Sequence, residues 1–553
     1  MAGVGDTNAE RARESDPAAE LDRSRKIVLV GFMGAGKSTA ARLLAVRLVC
    51  EHADSDAELE RRLGEPIADF FDREGEEAFR RREQGVVHEL LGPDGPRVVA
   101  LGGGAVTSEA TRSALAAHVA IYLETDAESA WRRARGAGRP LARDREAFAH
   151  LLERRVPLYQ GVARATVPSV RMDEVDRALA AAVALASDEV PPSVRMFWAT
   201  CRDHGYPVYV GRGATRAAGA LWFAGARCFI VADEGVAALH GPLVEGALQD
   251  RIELGGKIAV SSGEQHKTLA EADRIVRELA RNGMQRDDAL LALGGGVVGD
   301  LAGFCAAIYQ RGVPIVHVPT TLVAQVDSAY GGKTGVDIPE AKNYVGVFHQ
   351  PAAVIADPEL LRTLPGAELA AGFAEVVKTA LIAGGTLWSS ALELSPVTEL
   401  DDDNLDSLTA VITACLRTKL AVVAADEHDH GVRASLNLGH TFAHALEAAT
   451  HYDSYRHGEA VAVGLLVALR LSEREFELDP QVRGQVAALL ERNGLPTTFS
   501  GPAIEELLAR AERDKKRAGG SRNLVLLREP GDVVTGCDVS DELLVEAIEE
   551  LRS

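Results

Sequence analysis

The sequence predicts an α/β protein in two unlike halves, the second of which ends in a helical region. Three observations lead there. Residues 26–49 read as strand, glycine loop and helix, the repeating unit of a parallel sheet. From Tyr206 to Ala356, short apolar runs are separated by helical patterns, at least in the earlier part. Beyond Pro358 the pattern turns helical to about residue 515. At 553 residues the chain is too long for one domain, and no internal repeat relates its halves.

Composition narrows the class. The 46% apolar and 25% charged content is that of a globular protein. No uninterrupted apolar run reaches the ~20 residues of a membrane span. Residues 1–25 are polar and charged, and read as a disordered tail without the apolar centre of a signal peptide. Six scattered cysteines with no C-x-x-C fit a reducing cytoplasm and argue against a thiolate metal site. A net charge of −21 argues against general nucleic-acid binding. Only ten of the sixty basic residues are lysine. Arginine cannot replace lysine where a compact point charge or a titratable amine is needed. Lys37, Lys267, Lys333, Lys342, Lys378, Lys515 and Lys516 fall inside motifs, whereas Lys26, Lys257 and Lys419 do not.

Lys26–Gly31 is a buried-strand run leading into Gly31-Phe-Met-Gly34-Ala35-Gly36-Lys37-Ser38-Thr39 and a helical pattern to Val49. This is G-x-x-x-x-G-K-[ST] in its required context, a phosphate-binding loop. Backbone N–H groups there cradle phosphate. Lys37 reaches the outer phosphates, and Ser38 holds Mg²⁺. Asp54 and Asp56 follow, then the basic run Phe79-Arg80-Arg81-Arg82-Glu83, whose bland reading is a solvated helix face. Residues 97–101 read as a strand ending in Gly102-Gly103-Gly104, where a ligand can approach backbone closely. His118–Glu124 is a further strand, Arg139-Pro140-Leu141 a mobile lid, and Arg155-Val-Pro157-Leu158-Tyr159 the end of a helix. Residues 188–197, with Pro191-Pro192, are a linker.

In this order the motifs resemble the shikimate kinase family over about residues 26–187. The resemblance implies a P-loop domain of the nucleoside-monophosphate-kinase type that phosphorylates shikimate with ATP and Mg²⁺. It implies ATP contacts at Gly34, Ala35, Gly36, Lys37, Ser38, Thr39, Arg132 and Arg139, with Arg132 stacking on adenine and Arg139 stabilising the transferring phosphoryl group. Asp54 would join Ser38 at Mg²⁺. Asp56, Arg80, Gly102, Gly103, Gly104 and Arg155 would bind shikimate, the two arginines clamping its carboxylate.

In the second half, strand runs at Cys228–Ala232, Ile258–Val260, Ala289–Leu293, Ile315–Val318 and Val354–Ala356 predict a parallel α/β domain. Gly294-Gly-Gly296-Val297-Val298-Gly299-Asp300 fits G-x-G-x-x-G, although no acidic residue follows ~20 positions later where a dinucleotide ribose is usually held. In Asn437–Glu459, His440 and His444 share a helix face and His457 follows a break. An imidazole pair with one further ligand suits a catalytic metal, while a solvated helix face with incidental histidines suits the pattern equally. Glu375 and Lys378, three apart, read blandly as a surface ion pair.

Together these motifs resemble the 3-dehydroquinate synthase family over about residues 205–553. The resemblance implies an NAD-binding α/β domain (198–357), an all-helical metal-binding domain (358–553) and a homodimer formed through this half. It implies Glu375, His440 and His457 as ligands of Zn²⁺ or Co²⁺, moving His444 to substrate binding or proton transfer. Its implied NAD contacts are Ser262, Gly263, Glu264, Gln265, His266, Lys267, Gly296, Val297, Val298, Gly299, Asp300, Thr320, Thr321, Lys333, Lys342, Leu360, Leu361, Arg362 and Thr363. Its implied substrate contacts are Arg311, Asp327, Lys333, Asn343, Lys378, Arg433, Asn437, His444, Lys515 and Lys516. The implied reaction converts 3-deoxy-D-arabino-heptulosonate 7-phosphate to 3-dehydroquinate and phosphate. The chain is thus expected to be a bifunctional cytoplasmic enzyme of chorismate biosynthesis acting on small molecules. Rival readings are a related sugar-phosphate cyclase or a metal-dependent polyol dehydrogenase for the second half. For the first half they are another small-molecule kinase or an inactive regulatory domain.

Overall fold

The computed structural model describes residues 24–135, 144–169, 171–451, 454–517 and 523–553, the side chains of 511–517 excepted. The expected tail lies outside this description up to residue 23. Two compact units are formed: residues 1–226 with Gly246–Glu253, and Arg227–Glu245 with Leu254–Ser553.

The first unit begins β1 (Ile27–Val30), α1 (Lys37–Arg47), β2 (His52–Asp54), α2 (Ser55–Leu63), α3 (Ile67–Leu91), β3 (Val98–Ala100), α4 (Glu109–Leu115) and β4 (Val119–Glu124). It continues with α5 (Ala127–Ala134), α6 (Arg145–Val162), β5 (Ala165–Pro168), α7 (Met172–Val183), β6 (Arg195–Ala199) and β7 (Tyr206–Val210). Strand order is β2-β3-β1-β4-β5-β6-β7, parallel up to the antiparallel β6–β7 pair. All four residues of β1 are buried, as a continuous apolar run predicts for a strand covered on both faces. Because β1 has β3 on one side and β4 on the other, the phosphate loop leaves the sheet where strand order reverses, the usual ligand position.

Two features depart from the sequence reading. Residues 195–197, expected as linker, begin β6, and the unit boundary falls at Ala226. The reason is sheet pairing: β6 runs parallel to β5, and Tyr209 on β7 donates its hydroxyl to the Ala181 carbonyl of α7 at 3.0 Å. Pro157 was expected near a helix end, but α6 continues to Val162. Tyr159, two residues on, is buried and stacks on Tyr122 of β4 at 5.3 Å, which holds the last turns against the sheet.

The second unit begins β8 (Arg227–Asp233), α8 (Glu234–Leu248), β9 (Glu253–Val260), α9 (Leu269–Arg281), β10 (Ala289–Gly294), α10 (Gly296–Ile308), β11 (Ile315–Pro319) and an antiparallel pair β12 (Lys333–Ile338) and β13 (Ala341–Phe348). After β14 (Ala353–Ala356) come α11 (Gly366–Ala383), α12 (Gly385–Glu393), α13 (Asp402–Ala425), α14 (His440–Ala449), α15 (His457–Phe476), α16 (Pro480–Arg492) and α17 (Ile504–Arg517). A hairpin, β15 (Leu524–Glu529) and β16 (Asp532–Cys537), precedes α18 (Asp541–Glu550), so the part expected to be all-helical carries two strands. Strand order here is β14-β11-β10-β8-β9, with the glycine turn at the end of the central β10. Among the described residues α13 alone is long and apolar enough to cross a membrane. It buries Leu405, Leu408, Ile412, Cys415 and Leu416 inside the unit.

Candidate functional site

The first unit holds one cluster. Residues 31–39 form the phosphate loop, where Gly34 and Gly36 take φ of 82° and 89°. A side chain in that left-handed region is strained, which is why glycine stands there. Lys37 donates back to the Phe32 carbonyl at 3.0 Å, and Ser38 donates to Asp54 at 2.5 Å. The expected Mg²⁺ pair is therefore in contact. The loop, Asp54, Asp56, Leu101 and Arg133 line an open cavity of roughly 590 Å³.

Beside it, the expected shikimate residues converge on Gly102–Gly104. A Cβ on Gly102 would strike the Asp56 carboxylate, and one on Gly104 would strike the Arg80 guanidinium. Arg155 donates to the Gly103 carbonyl at 3.4 Å, and Tyr159 donates to the same oxygen at 2.5 Å. Burial lowers the Arg155 pKa and lifts Tyr159 to about 12. Arg80, read blandly as a solvated face, is instead paired at 2.6 Å with Glu83, whose carboxyl is pushed up by burial against the pull of Arg80. Glu83 and Tyr159 escaped sequence reasoning as site residues, although both lie inside quoted motifs. The guanidinium that reaches the phosphate loop from α5 is Arg133, which donates to the Gly34 carbonyl at 3.3 Å and to Ser169 at 2.8 Å; Arg132 is exposed. Arg139 lies outside the described residues.

The second unit holds the other cluster. Glu375 Oε1 lies 3.4 Å from His440 Nε2 and 3.3 Å from His457 Nε2. One ligand atom from each of the three falls within 4.8 Å of the others. His440 Nδ1 lies 3.1 Å from the Leu438 carbonyl, so the ring donates there and leaves Nε2 for the centre. Glu375 is only 1% exposed, with Lys378 2.5 Å from its Oε2. What reads in sequence as a surface pair is thus fully buried. Burial opposes the charged carboxylate, but Lys378 and His440 hold Glu375 well below the usual range. Burial likewise opposes the His457 cation, but Glu375 and Glu447 hold it up at about 10. Two hard-to-desolvate imidazoles and one carboxylate on one point form a donor set that suits a divalent ion.

His444 shares the face of His440, its ring 5.4 Å away. Surrounding protein atoms and the two neighbouring imidazoles push its pKa down to about 3. Asp327 Oδ1 accepts from Lys419 at 2.6 Å and lies 4.0 Å from Lys378. Burial raises the Asp327 pKa and the two ammonium groups outweigh it, leaving about 2. Lys419 is the residue that sequence reading set aside. The apolar α13 around it hid it; the scarcity of lysine was the available signal.

The glycine turn follows β10. A Cβ on Gly295 would lie 2.8 Å from Thr321, and one on Gly296 would lie 3.2 Å from Ser328, so backbone is laid bare there. Buried Thr320 Oγ1 has no hydrogen-bond partner. An orphaned hydroxyl at a strand end beside bare glycine backbone fits a dinucleotide cradle. Lys267 bridges Asp300 at 2.6 Å and Asn343 at 2.5 Å, with Glu264 at 3.9 Å. Ser262 donates to Asp233, Gln265 donates to the Ser262 carbonyl, and Thr363 meets His240 at 2.7 Å. Leu360 and Leu361 are buried, and Arg362 pairs with Glu359 and Asp402.

Other expected residues have partners of their own or lie on the surface. Lys333 pairs with Asp429 at 2.5 Å. Arg433 is 2% exposed, its guanidinium donating to the Glu427 and Gly331 carbonyls. Asn437 is exposed beside the start of α14. Arg311 follows the C-terminus of the thirteen-residue α10, about 20 Å from the glycine turn at its other end. The side chains of Lys515 and Lys516 lie outside the described residues.

With this geometry in hand, comparison with known proteins is specific. The 3-dehydroquinate synthase N-terminal family matches residues 257–371, and the C-terminal family matches 372–517. The 3-dehydroquinate synthase of Halorhodospira halophila is 42% identical over 366 residues, covering 65% of this chain and 99% of that protein. That of Symbiobacterium thermophilum is 42% identical over 356 residues, covering 63% and 99%. The chain belongs to the 3-dehydroquinate synthase family. Ahead of the synthase, the shikimate kinase family matches residues 33–183, so the chain is a fusion of the two enzymes. Among solved structures, 2-epi-5-epi-valiolone synthase from Streptomyces hygroscopicus, with NAD⁺ and Zn²⁺ bound, has a TM-score of 0.59 at 26% identity. That match covers 64% of this chain and 98% of that one. A 2-deoxy-scyllo-inosose synthase complexed with carbaglucose-6-phosphate, NAD⁺ and Co²⁺ has the same TM-score at 23% identity, covering 64% and 99%, and shares the fold.

Proposed function

We propose that the synthase half converts 3-deoxy-D-arabino-heptulosonate 7-phosphate to 3-dehydroquinate and phosphate, and that the kinase half phosphorylates shikimate to shikimate 3-phosphate with ATP and Mg²⁺. The observation that carries the first is the Glu375–His440–His457 cluster beside the Asp327–Lys378–Lys419 charges. Glu375, His440 and His457 would hold Zn²⁺ or Co²⁺; Thr320, the bare glycine turn and the Lys267 network would hold NAD. When bound, the ion polarises a hydroxyl or carbonyl oxygen and NAD takes up and returns a hydride, with no net redox change. Lys378 and Lys419 supply fixed positive charge for an anionic substrate. His444, beside His440, would face the substrate as a neutral imidazole able to form a hydrogen bond. The 42% identity to dehydroquinate synthases favours this substrate over those of the cyclases at 26% and 23%.

In the kinase half, Ser38 and Asp54 would hold Mg²⁺, Lys37 would turn from the Phe32 carbonyl to phosphate, and Arg80 and Arg155 would fork the substrate carboxylate. Asp56, against Gly102, would accept from a ring hydroxyl. We also propose a homodimer through the synthase half, whose β12–β13 pair exposes Tyr344, Val347 and Phe348, and a cytoplasmic location consistent with six free cysteines.

The test is phosphate release from the heptulosonate phosphate with NAD⁺, with and without a chelator selective for transition metals. Release that stops with chelator and returns with Zn²⁺ or Co²⁺ supports the reading. Net NADH accumulation would instead identify a dehydrogenase. For the kinase half, phosphoryl transfer to gluconate but not to shikimate would overturn it.

A further inference from the structure

Glu447 sits on α14, three residues beyond His444, and took no part in the motifs above. Its side chain is 4% exposed. Oε2 lies 3.4 Å from His457 Nδ1, and Oε1 lies 3.4 Å from Lys342 Nζ. Lys342 also approaches Glu264, at 3.8 Å. An ionised carboxylate only accepts, so the His457 ring must donate from Nδ1. Nε2 faces Glu375, and an ion bound there would take the place of the proton on that nitrogen while Nδ1 stays on Glu447.

His440 reaches the same state through the Leu438 carbonyl. The two histidines differ in support. The His440 side chain is 11% exposed and held by packing, whereas the His457 side chain, at the first turn of α15, is 40% exposed. An imidazole that packing leaves loose needs a polar tether if it is to be presented in one orientation. Carboxylate–histidine pairs of this kind fix both tautomer and ring angle of a metal ligand.

We infer that Glu447 is a positioning residue of the metal site: it holds His457 with Nε2 aimed at the ion, and Lys342 holds Glu447 in place. The inference rests on reading Glu375, His440 and His457 as metal ligands. Two substitutions separate positioning from simple structural support. In Glu447→Gln the amide oxygen can still accept from His457, but the charge that pairs with Lys342 is gone. In Glu447→Leu a helix-forming apolar side chain of similar length fills a buried position and accepts nothing.

The experiment measures Co²⁺ and Zn²⁺ dissociation constants by competition with a chromogenic chelator, without NAD or substrate. The visible spectrum of the Co²⁺ form and the melting midpoint of the metal-free protein are recorded alongside. Metal affinity is expected to fall 10- to 100-fold in Glu447→Leu and by less in Glu447→Gln. The Co²⁺ spectrum shifts in both, and the metal-free midpoint of the leucine variant stays at or above wild type. Wild-type affinity and spectrum in both variants would overturn the inference. So would an affinity loss that only tracks a collapse of the metal-free midpoint. A wild-type protein that binds neither ion would bring down the ligand assignment and this role with it.

Discussion

At the scale of single residues, several buried charges of the second unit gather around one point. Glu375 is enclosed by Lys378 and two imidazoles, and Asp327 by two ammonium groups. Each carboxylate is compensated, as burial demands, because an unpaired charge there would cost several kcal/mol. His317 on β11 is the contrasting case. It is buried under the turn of α10, near Gly299, and among the described residues no charged partner favours its cation. Burial, with a smaller effect of His349, lowers its pKa to about 4. In the unfolded chain the same ring titrates near 6.5. The unfolded state therefore takes up a proton between these values and the folded state does not. Stability from the neutral ring is complete above pH 6.5 and is lost as pH falls from there toward 4, by up to about 1.4 kcal/mol per unit. Urea unfolding at pH 7.5 and 5.0 should show wild type losing about 2 kcal/mol more than His317→Asn. Equal losses in the two proteins would remove His317 as the cause. Neither His317 nor Lys419 was legible as special in sequence, because both lie in apolar runs whose pattern speaks of burial and not of what a polar residue meets there.

At the scale of elements, close backbone contacts set the distances within the Glu375–His440–His457 cluster. Gly439, at φ 77°, precedes His440, and a Cβ on it would come within 2.7 Å of the Leu465 amide of α15. A Cβ on Gly464 would strike the Gly439 carbonyl, and one on Gly458 would strike the Ala371 carbonyl of α11. Gly458 follows His457 directly, and α11 carries Glu375. The α11–α15 contact thus fixes the gap between two of the proposed ligands, Glu375 and His457. Gly458→Ala forces backbone apart, since no flexible side chain can yield. It should lower stability by about 1–3 kcal/mol and weaken metal binding at least tenfold, read by chelator competition and urea unfolding. Unchanged metal affinity would show that the gap is set elsewhere. Strands with continuous apolar runs, such as β1, β10 and β11, were readable in advance. The three-residue β2, HAD, and the largely exposed β13 were not, because neither carries the buried pattern by which a strand is recognised. The proposed ligand trio needed the family resemblance: spacing alone pairs His440 with His444, and only the fold brings Glu375 and His457 together with His440.

At the scale of the molecule, a shikimate kinase half and a 3-dehydroquinate synthase half share one chain. The question the structure sharpens is where the kinase half ends. The family match stops at Val183, yet β6 and β7 continue its sheet beside β5. Glu174 of α7, only 3% exposed, accepts from the Trp198 indole of β6 at 2.8 Å and pairs with Arg171 and Arg177. Tyr209 ties β7 to the same helix. A fragment of residues 1–187 would bare the edge of β5 and leave Glu174 without its indole donor, whereas residues 1–226 keep both. A bare sheet edge also invites pairing between chains. The longer fragment should therefore phosphorylate shikimate with the kinetics of the full chain. The shorter should melt several degrees lower, since a loss of about 1 kcal/mol moves a domain of this size by about 2–4 °C, and should aggregate on concentration. Trp198→Phe within the longer fragment isolates the indole contact and should reproduce part of the melting shift without the aggregation. Identical melting of the two fragments would return the boundary to residues 188–197 and make β6–β7 an ornament of the kinase sheet, not a part of its fold.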